Sequence, residues 1–457
     1  MRKLRFYLAL WAAKAARLLL VVLGRNATCF PGKVANAICK DFLAQLQKPA
    51  VVIAVTGTNG KTTVSNLLAS ILKETGKRVT NNSFGSNIQP GVVSALIQDT
   101  SIWGRPKKDI AVLEVDERSS LLVYPGLKPH YLICNNIMRD SIKRNAHTEF
   151  ISYIISSALP KETKLILNGD DLICSTLAPQ CTDRTYFGLD AEKPETSVQP
   201  YLSDIVYCPN CGSKLEADYI RYNHIGQMHC TSCDLASPER DFVVSAVDWE
   251  NAKFTLTHNG ENNQFKLIND NIVNIYNLCG VIAVLSKLGL TQAQIQDAFQ
   301  KLEIVKTRLD TVNAGDLQIT MLMAKGQNPI ACARCYDYVA NCPGDNKAVI
   351  VIVDDLDDNI NNSESTCWLY DCDYSYLAHR SIGQIIFAGP RCKDQYLRAL
   401  IAGVAPEKIL TTPEASQAAT LADTEHYKNI YVLHELYRPE DAATCKQALM
   451  RKGGAAE

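Results

Sequence analysis

The chain reads as an α/β protein in two parts. A central domain is built around a glycine-rich phosphate loop and interrupted by a four-cysteine ribbon, and a smaller α/β domain follows at the C-terminus. Three observations predict this. A β-branched apolar run, Val51–Val55, leads directly into Thr56-Gly57-Thr58-Asn59-Gly60-Lys61-Thr62-Thr63 and then a helical pattern. Short apolar runs recur after it, each ending in polar residues, as buried strands of a doubly wound sheet do. From about residue 310 the alternation starts afresh.

Bulk properties narrow the function. The 457 residues suit two or three domains, and 47% hydrophobic with 21% charged residues is a globular composition. A formal net charge of −1 leaves no basic field for nucleic acid. The 17 cysteines are odd in number and scattered, which argues against a disulfide framework and for reduced thiols in the cytoplasm.

Residues 1–48 form an N-terminal segment that opens with a cationic, amphipathic helix. Lys14 and Arg17 interrupt the apolar stretch Leu4–Gly24, so it lacks the ~20-residue run of a spanning helix. No clear signal-peptide pattern is present. Two readings stay open: peripheral contact with an anionic membrane surface, or packing on the next domain, which is the simpler.

The phosphate loop opens the central domain, 49–309. Gly57 and Gly60 let backbone amides face phosphates, and the following helix N-terminus adds positive potential. Thr58, Asn59 and Thr63 complete the loop's contacts. Lys61 is placed to neutralise phosphate oxygens, and the Thr62 hydroxyl to ligate Mg²⁺. The strict G-x-x-x-x-G-K-[ST] pattern is not met, because Val55 stands at its first glycine. Downstream, Asp109–Glu117 is an apolar strand running into acid, and Glu114 is the best candidate for a second metal contact, with Asp116 and Glu117 nearby. The strand His130–Cys134 ends at Asn135-Asn136, and Lys164–Leu167 ends at Asn168-Gly169-Asp170-Asp171. Polar clusters at three strand ends would ring one crevice.

Cys208-x₂-Cys211 and Cys230-x₂-Cys233 lie 18 residues apart. Two such knuckles bring four thiolates into the tetrahedron that structural Zn²⁺ takes, so 202–240 reads as an inserted zinc ribbon. Redox-active pairs are the alternative. His224 and His229, inside the ribbon, read as packing or surface residues because four sulfurs already saturate the ion.

The order of these motifs resembles the Mur ligase superfamily, ATP-dependent enzymes that join a carboxylate to an amine through an acyl phosphate. The matching pieces are the GTNGKTT loop, the LEVDE strand end, Asn136-Ile-Met-Arg-Asp140, the LNGDD segment and Asn274-Ile-Tyr-Asn277. The fold implied is a Mur-ligase-like ATP-binding central domain. The resemblance implies that Thr62 and Glu114 hold Mg²⁺, and that Asn168, Asp170, Asn277 and Arg308 serve the nucleotide site. Lys61 and Glu114 are the implied catalytic groups. Ser141 departs from the histidine that amino-acid-adding members carry there.

The ribbon string CPNCGSKLEADYIRYNHIGQMHCTSCD and the opening segment resemble the MurT family within that superfamily. That likeness implies a heterodimer with a GatD-like class I glutamine amidotransferase, which supplies ammonia. The reaction implied is ATP-dependent amidation of the D-glutamate α-carboxylate of lipid II, or a related muropeptide, giving D-isoglutamine for peptidoglycan. The enzyme would be cytoplasmic, at the inner membrane face.

The C-terminal domain, 310–457, carries the strands Leu317–Leu322, Ala348–Val353, Gln384–Ala388 and Asn429–Leu433. Lys325 and Asn328-Pro329 resemble the family's Lys-Asn-Pro turn with two residues inserted. The family supplies an Asp here to the partner's Cys-His pair, from an Asp-x-Ser-Trp stretch. In this chain Ser365 stands at that position, before Trp368. Asp371 is the preferred replacement, with Asp355, Asp358 and Glu364 as alternatives. Two rival readings stay open: a Mur-type ligase adding an amino acid, of folylpolyglutamate or muramyl-peptide type, and a nucleotide-binding subunit that has drifted from catalysis. Ser141 and the ribbon count against the first, and the altered Asp-x-Ser-Trp stretch favours the second.

Overall fold

The computed structural model describes residues 2–83, 86–140, 147–192, 201–268, 271–302, 309–324, 328–353, 365–435 and 439–454. It divides into two compact units, one of Met1–Met138 and His147–Val305, the other of Arg139–Ala146 and Lys306–Glu457.

In the first unit the apolar runs form the strands β1 (Val51–Thr56), β2 (Val79–Asn81), β3 (Ile110–Glu114), β4 (Tyr131–Cys134), β5 (Lys164–Asn168) and β6 (Arg184–Leu189). The ribbon contributes β7 (Leu215–Tyr222) and β8 (Ile225–Cys230), and β9 (Phe242–Asp248), β10 (Lys253–His258) and β11 (Glu261–Lys266) follow. Among the described residues nine strands make one sheet, in the order β11-β10-β9-β6-β5-β4-β1-β3-β2. Strands β2 to β6 and β9 run parallel with β1, and β10 and β11 return antiparallel as an edge meander.

The parallel strands are continuous apolar runs because helices cover both faces. Val52, Ile53, Ala54 and Val55 of β1 are fully buried. At roughly 1.5–3 kcal/mol for each large aliphatic side chain, such runs drive the sheet's assembly. The sheet's central position for β1 puts its C-terminal end, and the loop that follows, at the middle of the crevice between β3 and β4.

The N-terminal segment folds as α1 (Arg2–Val22), α2 (Phe30–Ile38) and α3 (Phe42–Gln45). Helix α1 buries Phe6, Ala9, Leu10 and Ala13 in the first unit's core. Helix α4 (Lys61–Glu74) follows the phosphate loop, and α5 (Gln89–Gln98) packs against α2. Among the described residues no helix is long and apolar enough to cross a membrane.

The second unit holds β12 (Leu309–Ala314), β13 (Leu317–Met323), β14 (Lys347–Ile352), β15 (Ile382–Ala388), β16 (Ile409–Thr412) and β17 (Asn429–His434). Their order is β12-β13-β17-β14-β15-β16, with β12 antiparallel and the others parallel. Two clusters of buried residues form its core, one around Tyr336, Trp368 and Phe387, the other around Ile350, Val432 and Leu449. None of the 17 cysteines is in a disulfide.

Candidate functional site

The phosphate loop is shaped by two glycines in the left-handed region. Gly57 has φ +119° and Gly60 φ +85°. A Cβ on Gly57 would meet the Asn136 carbonyl at 2.9 Å, and one on Gly60 would meet Asn277 Oδ1 at 2.3 Å. Both positions therefore exclude side chains for reasons of φ and of space. Gly60 caps α4, which begins at Lys61, so the N-terminal end of the helix meets the loop.

Residues 136–138 hold the loop from the side. Thr58 N donates to the Asn136 carbonyl at 2.9 Å, and Asn59 N donates to Asn136 Oδ1 at 2.9 Å. The Thr58 hydroxyl accepts from Met138 N at 2.9 Å. Asn135 Nδ2 donates to Asn277 Oδ1 at 2.7 Å, and Asn168 Nδ2 donates to the Asn135 carbonyl at 2.9 Å. Asn168 and Asn277 thus come to the loop through Asn135, which the sequence reading noted only as a strand end.

Lys61 Nζ lies 2.7 Å from Glu117 Oε1 and donates to the Gly57 and Thr58 carbonyls. Glu117 is almost fully buried; burial pushes its carboxyl up, while Lys61 pulls the other way. The sequence set Glu117 only near the metal candidate Glu114, and the structure pairs it with the loop lysine. Thr62 Oγ1 donates to Glu114 Oε2 at 2.8 Å, and Asn87 Nδ2 donates to Glu114 Oε1 at 2.9 Å. A hydroxyl and a carboxylate side by side at a helix N-terminus are hard oxygen donors of the kind Mg²⁺ takes beside phosphates. Asn87 had no sequence signal as a partner of Glu114.

Asp170 serves the architecture. Its fully buried carboxylate meets Arg240 at 2.9 Å, Tyr276 OH at 2.7 Å, Gln227 Nε2 at 2.7 Å and Leu189 N at 3.0 Å. Those contacts occupy both oxygens, so the side chain is committed to the protein rather than open to a nucleotide.

The four cysteines converge. Their Sγ atoms all lie within 4.8 Å of one another, with Cys208–Cys233 at 3.5 Å and Cys211–Cys230 at 3.4 Å. Those separations are far beyond a disulfide's ~2.05 Å. They approach the ~3.8 Å edge of a tetrahedron with ~2.3 Å metal–sulfur bonds. The donor set fits a closed tetrathiolate centre.

Of the two places the sequence leaves for His224, packing or surface, the structure gives it the first: Nε2 lies 3.0 Å from Asp171 Oδ1 and Nδ1 3.6 Å from Asp204 Oδ2, all fully or almost fully buried. Burial alone would lower its pKa, but Asp171 and Asp204 overcome that and hold it up at about 10. Asp171 Oδ2 in turn accepts from Ile137 N at 2.8 Å. The ribbon's β7–β8 turn is thereby tied to the segment that clamps the phosphate loop. His229 is a partly exposed residue beside Asp218.

In the second unit Asp371 lies 3.4 Å from Arg139. Ser141, Arg308, Lys325, Asp355, Asp358 and Glu364 fall outside the described residues. Asn328 caps the helix Pro329–Asn341 by accepting from Ala331 N at 2.8 Å.

Comparison with known proteins shows the family and the fold. The family described as Mur ligase middle domain matches residues 55–285, and MurT ligase C-terminal matches 326–437. The subunit of Staphylococcus aureus named lipid II isoglutaminyl synthase (glutamine-hydrolyzing) subunit MurT is 30% identical over 88% of this chain and 89% of its own. Its namesake in Streptococcus pneumoniae is 28% identical over 94% of each. Among solved structures, a pseudomurein peptide ligase type C from Methanothermus fervidus matches with a TM-score of 0.66 at 20% identity, covering 90% of this chain and 80% of that one. MurF from Acinetobacter baumannii matches at 0.63 and 16%, covering 92% and 80%. The phosphate loop, the likeness over nearly nine-tenths of both chains and the matching C-terminal domain lead to one conclusion: this chain belongs to the MurT family of Mur ligases.

Proposed function

We propose that the chain is the synthetase subunit of a lipid II isoglutaminyl synthase. It converts the D-glutamate α-carboxylate of the lipid II stem peptide into the amide of D-isoglutamine. The observation that carries this reading is the likeness to the curated MurT subunits over nearly nine-tenths of both chains. The γ-phosphoryl group of ATP passes to a carboxylate oxygen, giving an acyl phosphate and ADP. The nitrogen lone pair of ammonia then attacks the acyl carbon, phosphate leaves, and the nitrogen loses a proton. A GatD-like glutaminase in a heterodimer supplies the ammonia.

Within this reaction Lys61 neutralises charge on the transferring phosphoryl group, and the amides of 57–62 cradle the phosphates. Thr62 and Glu114 would hold Mg²⁺, which when bound screens the phosphate charge. Asn277 and Asn168 orient the loop and line the nucleotide site. Zn²⁺ is the ion of the right size and softness for Cys208, Cys211, Cys230 and Cys233, in a structural role. Asp371 is the carboxylate offered to the partner's Cys-His pair. A lipid-linked substrate would place the enzyme in the cytoplasm at the inner membrane face.

The test is a complex of this chain with a GatD-like glutaminase, given lipid II, ATP and glutamine. The expected product carries the mass change of a hydroxyl exchanged for an amine, and Lys61→Ala abolishes it. Retained activity in that variant, or incorporation of a free amino acid instead of ammonia, would reject the reading.

A further inference from the structure

We propose that the outer face of α1, together with the Ile102–Trp103 loop beside it, docks on the surface of an anionic phospholipid bilayer. Helix α1 has two apolar faces. The inner one, Phe6, Ala9, Leu10 and Ala13, is buried in the core. The outer one runs Leu4, Leu8, Trp11, Leu18 and Val22, at helical spacing, and every one of these side chains is exposed. A helix apolar on both faces needs a second apolar surrounding.

The outer row does not stop at the helix. Trp11 Nε1 donates to the Ile102 carbonyl at 2.9 Å, which seats the 101–105 loop beside it. Ile102 and Trp103 there are 57% and 64% exposed. At the C-terminal end of α1, Leu19, Val21 and Leu23 extend the exposed apolar surface. Ridges of this extent on a protein surface mark a contact site.

In the sequence Lys14, with Arg17, interrupts the apolar stretch of α1. Its ammonium turns inward and donates to the Ile97 and Thr100 carbonyls, at 2.9 and 2.5 Å, at the C-terminal end of α5. The outer row is therefore free of that mid-helix charge.

Charge selects the occupant. Residues 1–40 contain eight Lys or Arg and no Asp or Glu, in a chain of net charge −1. Lys3 and Arg5 at the start of α1, Arg25 just past its end, and Arg105 and Lys107 just after Ile102–Trp103 in the chain are exposed. A second copy presenting the same face would meet like charge across a two-fold axis. An anionic bilayer offers both complements, acyl chains for the ridge and headgroups for the rim, and Trp side chains favour that boundary.

This surface would hold the enzyme beside a lipid-linked substrate, and to that extent it rests on the proposed amidation. Its test is separate. The full chain is mixed with vesicles of phosphatidylglycerol and phosphatidylcholine, or of phosphatidylcholine alone, and floated on a gradient. Binding to the anionic vesicles is expected, roughly tenfold weaker without phosphatidylglycerol and weaker as salt is added. The double variant L8E/L18E, and separately Trp103→Ser, should lose at least roughly tenfold in binding with unchanged circular dichroism and melting temperature. Should the double variant misfold, a blue shift of tryptophan emission on adding anionic vesicles, reduced in Trp103→Phe, carries the same information. No flotation with anionic vesicles, equal flotation on phosphatidylcholine alone, or undiminished binding by well-folded variants would overturn the proposal. So would a lipid-free dimer that L8E/L18E dissociates, which would assign the face to a second copy. The assay contains no nucleotide or peptide, so its failure leaves the amidation reading standing.

Discussion

His224 Nε2 stands 3.0 Å from Asp171 Oδ1, and both side chains are wholly buried. The histidine comes from the ribbon and the aspartate from the end of the LNGDD segment, so this contact fixes an inserted module to the nucleotide domain. Replacing His224 with Gln leaves Asp171 and Asp204 buried without their cation. The expected cost is about 3 kcal/mol of stability, measured by denaturant unfolding.

The same pair predicts a pH dependence. The His224 pKa rises from 6.5 to about 10 on folding. A group raised in this way stabilises fully below its unfolded value and loses that contribution as pH climbs through the folded one. Unfolding free energy should therefore decline between about pH 6.5 and 10, and the decline should be smaller in His224→Gln. Parallel slopes for the two proteins would refute the assignment.

Glu114 and Thr62 touch at 2.8 Å, at the end of β3 and the start of α4. Glu114→Gln removes the carboxylate while keeping a hydrogen-bonding side chain for Asn87. The Mg²⁺ concentration giving half-maximal ATP-dependent activity should rise by about tenfold or more. Titrating Mg²⁺ at saturating ATP checks this, and an unchanged requirement would move the metal contact elsewhere.

One tightly held Zn²⁺ per chain is expected by elemental analysis, released by a strong chelator. Cys230→Ser should lose the ion and lower the melting temperature. It should also weaken nucleotide binding, because the ribbon reaches the phosphate loop through His224, Asp171 and Ile137. Full nucleotide affinity in metal-free protein would show that the ribbon and the loop are uncoupled.

Asp371→Asn separates the two half-reactions. If this carboxylate orients the partner's histidine, glutamine-dependent activity should fall by about 10²-fold or more. Activity driven by added ammonium should be retained. Equal loss of both would place Asp371 in the synthetase chemistry or in folding, through its contact with Arg139.

Much of this was legible in the sequence, and the reasons differ by residue. The phosphate loop, the parallel strands and the four cysteines are local patterns, in which a few adjacent residues carry the whole signal. Thr62 with Glu114 was legible because a strand end and a loop both point into the same crevice. The partner of Lys61 was not, because choosing among Glu114, Asp116 and Glu117 depends on how the chain turns after β3. Asp170 looked like a ligand from its place in LNGDD. Its four protein partners come from positions 189, 227, 240 and 276, which no local pattern joins. The carboxylate partners of His224 were hidden for a similar reason, since Asp171 and Asp204 lie in other elements. Lys14 reads as a break in an apolar helix until the α5 carbonyls that receive it are seen.

Strands β6 and β9 are parallel neighbours, with Phe187 opposite Phe242, although the whole ribbon lies between them in the chain. An excursion of that length must close before the sheet can extend to its β9–β11 edge, and closure costs entropy that grows with the free loop. A metal that knots Cys208 to Cys233 shortens the free part of the excursion to its two flanks. Zinc supply would then act on the folding rate of newly made chains as well as on the stability of finished ones.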